Sequence, residues 1–74
     1  MNLLLKFPDP SKRDEFLRQL NRDRDDLAGH FRGSRNLPTA VMTSLSAEQA
    51  AWVRQHVSGL GRAYEDVQFE TFTG

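Results

Sequence analysis

Cysteine is missing from all 74 residues, so no disulfide framework can staple this chain. The soft metal ligands that remain are His30 and His56, too few to predict a structural zinc site, and no metal or cofactor is expected. Long apolar runs are also missing. Leu3 to Leu5 is the only N-terminal one, far shorter than a signal-peptide core or a membrane span, and Lys6, Pro8 and Pro10 follow it closely. The expectation is a cytoplasmic protein with no membrane contact. Charge of one sign is lacking too: ten basic and ten acidic side chains cancel, which argues against a nucleic-acid or anionic-membrane partner. A chain this short buries only about 60% of its unfolded surface, so packing or a partner must supply the stability that cross-links do not.

What is present reads as alternating strands and helices. Asn2 to Phe7 is an apolar run ended by Pro8, the pattern of a buried strand. Asp9-Pro10 supplies a helix cap and a proline at the first helical position. Phe16, Leu17, Leu20, Leu27 and Ala28 then recur at helical spacing, predicting a helix over 10–28. Its weak point is 21–26, which has no apolar member and where the helix frays or breaks. Asp14 with Arg18, and Arg22 with Asp26, are expected to pair four apart. Gly29 is expected to end the helix in a left-handed conformation, and His30 to Arg35 is either a short irregular strand or a loop.

Leu37-Pro38 marks a turn, and Thr39 to Leu45 has the β-branched content of a strand. The sharpest local signal is Ser46-Ala47-Glu48-Gln49, a capping box that starts a helix at Ala47. Ala50, Val53, Val57 and Leu60 form its apolar stripe, Gly59 and Gly61 its stop, and an extended segment from Arg62 to Phe72 follows. The element order predicts an α+β, ferredoxin-like βαββαβ sandwich: a four-stranded antiparallel sheet with two helices on one face and the other face open. Residues 1–74 form one domain.

Catalytic patterns are absent. Ser11, Ser34, Ser44, Ser46 and Ser58 show no nucleophile-elbow spacing, and Gly29, Gly33, Gly59 and Gly61 fit neither a phosphate-binding loop nor a dinucleotide fingerprint. His30 and His56 read as ordinary surface residues, and the chain is not expected to be an enzyme. Arg18, Arg22, Arg24, Arg32 and Arg35 near Phe31 resemble a basic patch for single-stranded RNA, but Asp23, Asp25 and Asp26 neutralise it. Trp52 lies off the centre of its helix stripe; it either covers a core edge or is offered to a partner. Val67, Phe69 and Phe72 sit within the last eight residues, where a chain end is ordinarily polar. Either the last strand runs long, with Val67, Phe69 and Thr71 inward, or 67–74 is an extended recognition tail.

In layout the chain resembles the subtilisin propeptide-like protease inhibitors, the inhibitor I9 family. The resemblance is carried by the cysteine-free length, the opening Leu3-Leu4-Leu5-Lys6-Phe7, Gly29 after the first helix, Thr39 to Gln49 with its Leu45-Ser46-x-Glu48-Gln49 helix start, and Ala63-Tyr64-Glu65-Asp66 before a tail. Two features depart from the family. Arg35-Asn36-Leu37-Pro38 stands where an aromatic-glycine-aromatic turn is usual, and Glu65 and Asp66 are adjacent rather than flanking one residue.

The resemblance implies a monomeric binder of a subtilisin-like serine protease. The open sheet would dock on two parallel protease helices, Glu65 or Asp66 would cap their N-termini, and the tail of Val67, Phe69, Thr71, Phe72, Thr73 and Gly74 would lie in the active-site cleft. With Phe72 in the pocket beside the scissile position, Phe69 falls three residues upstream, at a second site that favours large apolar side chains. Trp52 is a further interface candidate. That Met1 leads straight into the first strand favours a separate polypeptide over a cleaved propeptide.

Overall fold

The computed structural model describes residues 1–65. Four strands, β1 (Leu3–Lys6), β2 (Phe31–Gly33), β3 (Thr39–Met42) and β4 (Arg62–Glu65), form one antiparallel sheet in the order β2-β3-β1-β4. Since β1 and β2 both run antiparallel to the β3 between them, they are parallel to each other, which is the split βαβ arrangement of a ferredoxin-like fold. Strand β1 pairs Leu5 with Ala40 of β3 on one side and with Ala63 of β4 on the other.

Three helices accompany the sheet rather than two: α1 (Pro10–Asp23), α2 (Asp25–Ala28) and α3 (Ala47–Val57). The expected single helix over 10–28 is broken at Arg24, whose φ of −146° and ψ of 70° are not helical. The break falls in the stretch with no apolar side chain to hold a continuous helix against the core. The expected i,i+4 pairs do not form. Arg22 pairs with Asp23 and Asp26 with Arg24 at the break, and Asp14 with Arg13 near the start of α1, so closer neighbours in the chain replace partners one turn away. Gly29 is not left-handed; it closes α2 at φ −68° and ψ −18°, as a right-handed cap.

At α1 the Asp9 side chain accepts from the Lys12 amide at 2.9 Å, with Pro10 in the first turn. The capping box of α3 is present in both directions: Gln49 N–H donates to Ser46 Oγ at 3.1 Å and Ser46 N–H to Gln49 Oε1 at 2.9 Å. Strand β3 is shorter than the expected Thr39 to Leu45, because Ser44 takes φ 61° and turns the chain toward α3. The Leu45 amide instead donates to the Met1 carbonyl at 2.9 Å.

Period-2 alternation in the strands and period-3.6 stripes on the helices meet in one core. Leu3 and Leu5 of β1 and Ala40 and Met42 of β3 face Phe16, Leu20 and Leu27, and Ala50, Val53 and Val57 of α3, all buried. Phe16 is its centre, with ring centroids 5.9 Å from Phe7 and 6.3 Å from Phe31. Leu17, Ala28, Leu60 and Ala63 pack at the margin.

Candidate functional site

The helices cover one sheet face, and alternation dictates what the other presents. Every second strand residue points away from the core, so the pairing register lays out Arg32–Val41–Leu4–Tyr64 as one transverse row. Thr39–Lys6–Arg62 is the next row on the same side. Leu4 and Val41 are half-buried, while Tyr64 is 42% exposed and Arg32, Lys6 and Arg62 are exposed. Among the described residues the centre of this face is apolar and its charged members are all cations. Lys6 Nζ lies 5.5 Å from the centroid of the Tyr64 ring.

One end of the face opens into a cleft of about 640 Å³ lined by Leu4, Lys6, Leu37, Pro38, Thr39 and Val41. Leu37 is 60% exposed there, the most exposed large apolar side chain among the described residues. Arg13, reaching over from α1, holds this β2–β3 connection by donating from Nη1 to the Ser34 carbonyl and, at 2.8 Å, to the Leu37 carbonyl. Ser34 and Thr39 join their hydroxyls at 2.7 Å beside it.

Of the residues singled out in the sequence, Glu65 ends β4 at the sheet edge, with its carboxylate on the helix side of the sheet and paired with the Arg54 guanidinium of α3. Asp66, Val67, Phe69, Thr71, Phe72, Thr73 and Gly74 lie outside the described residues. Trp52 is on the opposite side of the molecule from the open face. Its ring stacks on His56 at 3.9 Å and 15°, packs against the core margin, and has the Arg24 guanidinium 5.4 Å from its centroid. Of the two roles open to it, core-edge packing is the one its contacts describe. Both histidines have backbone partners: His30 Nδ1 with the Thr43 carbonyl and His56 Nδ1 with the Trp52 carbonyl, each at 2.8 Å.

Arg24 organises a second polar cluster, joined to Asp26 and to Glu48 at 3.0 Å. The Arg24 hydrogen bond, helped by one from Gln49, brings the Asp26 carboxyl down to about 2, and the hydrogen bonds to Asp26 and Glu48 raise the Arg24 guanidinium. This cluster and the Arg22–Asp23 pair occupy two of the five cations that read in sequence as a basic patch, Arg24 and Arg22, while Phe31 packs against the core. Phe31, opposite Met42, is thus turned to the core side of the sheet, away from Arg32. Among the described residues, no group of three or more His, Cys, Asp or Glu could hold a metal ion, and no helix is long and apolar enough to cross a membrane.

The sequence reading missed Lys6 and Arg62, and took Arg32 only as part of a basic patch beside Phe31. The available signal was alternation itself: Leu4-x-Lys6 and Arg62-x-Tyr64 each put an apolar and a cationic side chain on one face. Comparison with protein-family models, with curated proteins and with solved structures finds no match for this chain.

Proposed function

We propose that this chain is a protein-binding inhibitor, or inhibitor-like folding module, of a subtilisin-like serine protease. The carrying observation is an open antiparallel sheet face whose edge strand β4 runs straight into the Glu65-Asp66 pair and then the aromatic-bearing residues 67–74. An open sheet face beside an acidic pair in the sequence matches two requirements at once: a flat docking area, and a carboxylate that satisfies the free amides at a partner's helix N-terminus. The segment after it would add to the cleft as a strand, offering Phe72 and Phe69 to apolar pockets.

Arg54 constrains how this works. If Glu65 is the capping carboxylate, its ion pair with Arg54 must open, and an exposed pair of this kind costs only about 0–1 kcal/mol to break. Asp66, one residue on, is the second carboxylate for the same task. Removal of residues 67–74 is expected to abolish inhibition of a subtilisin-like protease in a peptide-hydrolysis assay while leaving the circular dichroism of the domain unchanged. Undiminished inhibition by the truncated chain would refute the tail mechanism.

The engagement of Glu65 with Arg54 favours one other reading, a regulatory protein–protein adaptor that uses the same sheet face without a protease. Amide exchange separates the two. Protection continuing through Phe72 supports a long strand and the adaptor; fast exchange beyond Asp66 supports the inhibitor.

A further inference from the structure

Lys6 and Arg62 are direct cross-strand partners, side by side on the open face. Like charges placed opposite each other on one face destabilise a sheet, and among the described residues neither makes an ion pair, nor does Arg32 at the other edge. Among the described residues every acidic side chain with an ion pair is on or next to a helix or on the helix side of the sheet, so no described carboxylate offsets the three cations, and Lys6 has only the Tyr64 ring. Folding alone does not account for this arrangement. A local rule broken at the surface, next to an apolar stripe of Leu4, Val41 and Tyr64, is the pattern of a site completed by a partner.

We infer that the open sheet face binds an acidic protein surface: a carboxylate bridging Lys6 and Arg62, a second meeting Arg32, and an apolar side chain between them on Leu4, Val41 and Tyr64. The four strands span about 14 Å from Arg32 to Tyr64 at the usual spacing of about 4.8 Å, so the two cationic ends and the apolar centre fit one short segment of a partner. A protein fits better than a nucleic acid, because three cations are few for tracking phosphates and Tyr64 is the one aromatic on this face among the described residues. The inference rests on the open face being the docking face, as proposed above, and not on the partner being a protease.

The test uses the full chain, isotope-labelled, titrated at low ionic strength with a hexapeptide Glu-Glu-Leu-Phe-Glu-Glu and with its Lys-for-Glu counterpart. The acidic peptide is expected to shift the amide signals of β1, β3 and β4 and to lose affinity with added salt, while the basic peptide does not bind. The single substitutions Lys6→Glu and Arg62→Glu each turn a like-charge pair into an opposite-charge pair. Each is therefore expected to raise the urea midpoint and yet weaken the acidic peptide about tenfold or more, an opposition that a purely structural role for these residues would not produce.

No binding of the acidic peptide, equal binding of both peptides, unchanged affinity in both variants, or tighter binding to a single-stranded oligonucleotide or to phosphatidylserine vesicles would overturn the inference. No protease is present in the titration, so its outcome is separate from that of the inhibition assay.

Discussion

Two glycines show how much a single residue's surroundings decide. Gly29 has an ordinary right-handed φ of −68°, and a methyl group there meets nothing within 4 Å. Gly29→Ala is expected to stabilise the fold by about 0.4–1 kcal/mol, mainly by restricting the unfolded chain. Gly61 follows α3 where β4 begins, and a Cβ there would collide with the Lys6 carbonyl oxygen and come within 2.9 Å of Phe7 Cδ1. Backbone cannot yield as a flexible side chain can, so Gly61→Ala should cost about 1–3 kcal/mol. Urea midpoints of the two variants moving in opposite directions would confirm this; equal shifts would contradict it. From sequence both glycines looked like helix stops, and only Gly61 is required by a close approach.

At the scale of elements, the junction of α1, α2 and α3 is held by charge as well as by Leu27. Arg24 sits at the break and reaches Asp26 at the start of α2 and Glu48 in the first turn of α3. The Asp26 carboxyl is depressed from 3.8 to about 2 by its Arg24 hydrogen bond. A depressed carboxylate contributes stability that is present above its ordinary value and is lost as pH falls toward its folded value. The stability difference between the wild type and Asp26→Asn should therefore be constant near neutral pH and shrink between about 3.8 and about 2. Urea unfolding across that range checks it, and a difference that grows on acidification would refute the assignment. The weakness of 21–26 was legible as a run without apolar residues. The pairing of Arg24 with Glu48, 24 positions away, was not, because helical spacing describes neighbours on one element only.

For the whole molecule, the sheet order decides which strands are shielded. Strands β3 and β1 are interior, each bonded on both sides, while β2 and β4 are at the edges. The slowest amide exchange is expected in β1 and β3, with β2 faster by orders of magnitude, since edge strands open without unfolding the core. Rapid exchange throughout β1, the first strand in the chain, would mean a sheet paired in sequential order instead. The same order creates the open face, bringing Lys6 and Arg62, 56 positions apart, into register and setting Leu4 between Val41 and Tyr64.

Local chemistry was enough to determine the helix starts and the buried faces, though not whether His30 to Arg35 is strand or loop. Asp9-Pro10 and the Ser46–Gln49 box mark helix starts because caps are made by residues three apart, and the buried faces follow from apolar periodicity. Tertiary structure alone decided the distant partner of Arg24, the turn at Ser44, the capture of Glu65 by Arg54 and the cationic face, because each depends on strand register and on contacts between residues far apart in the chain.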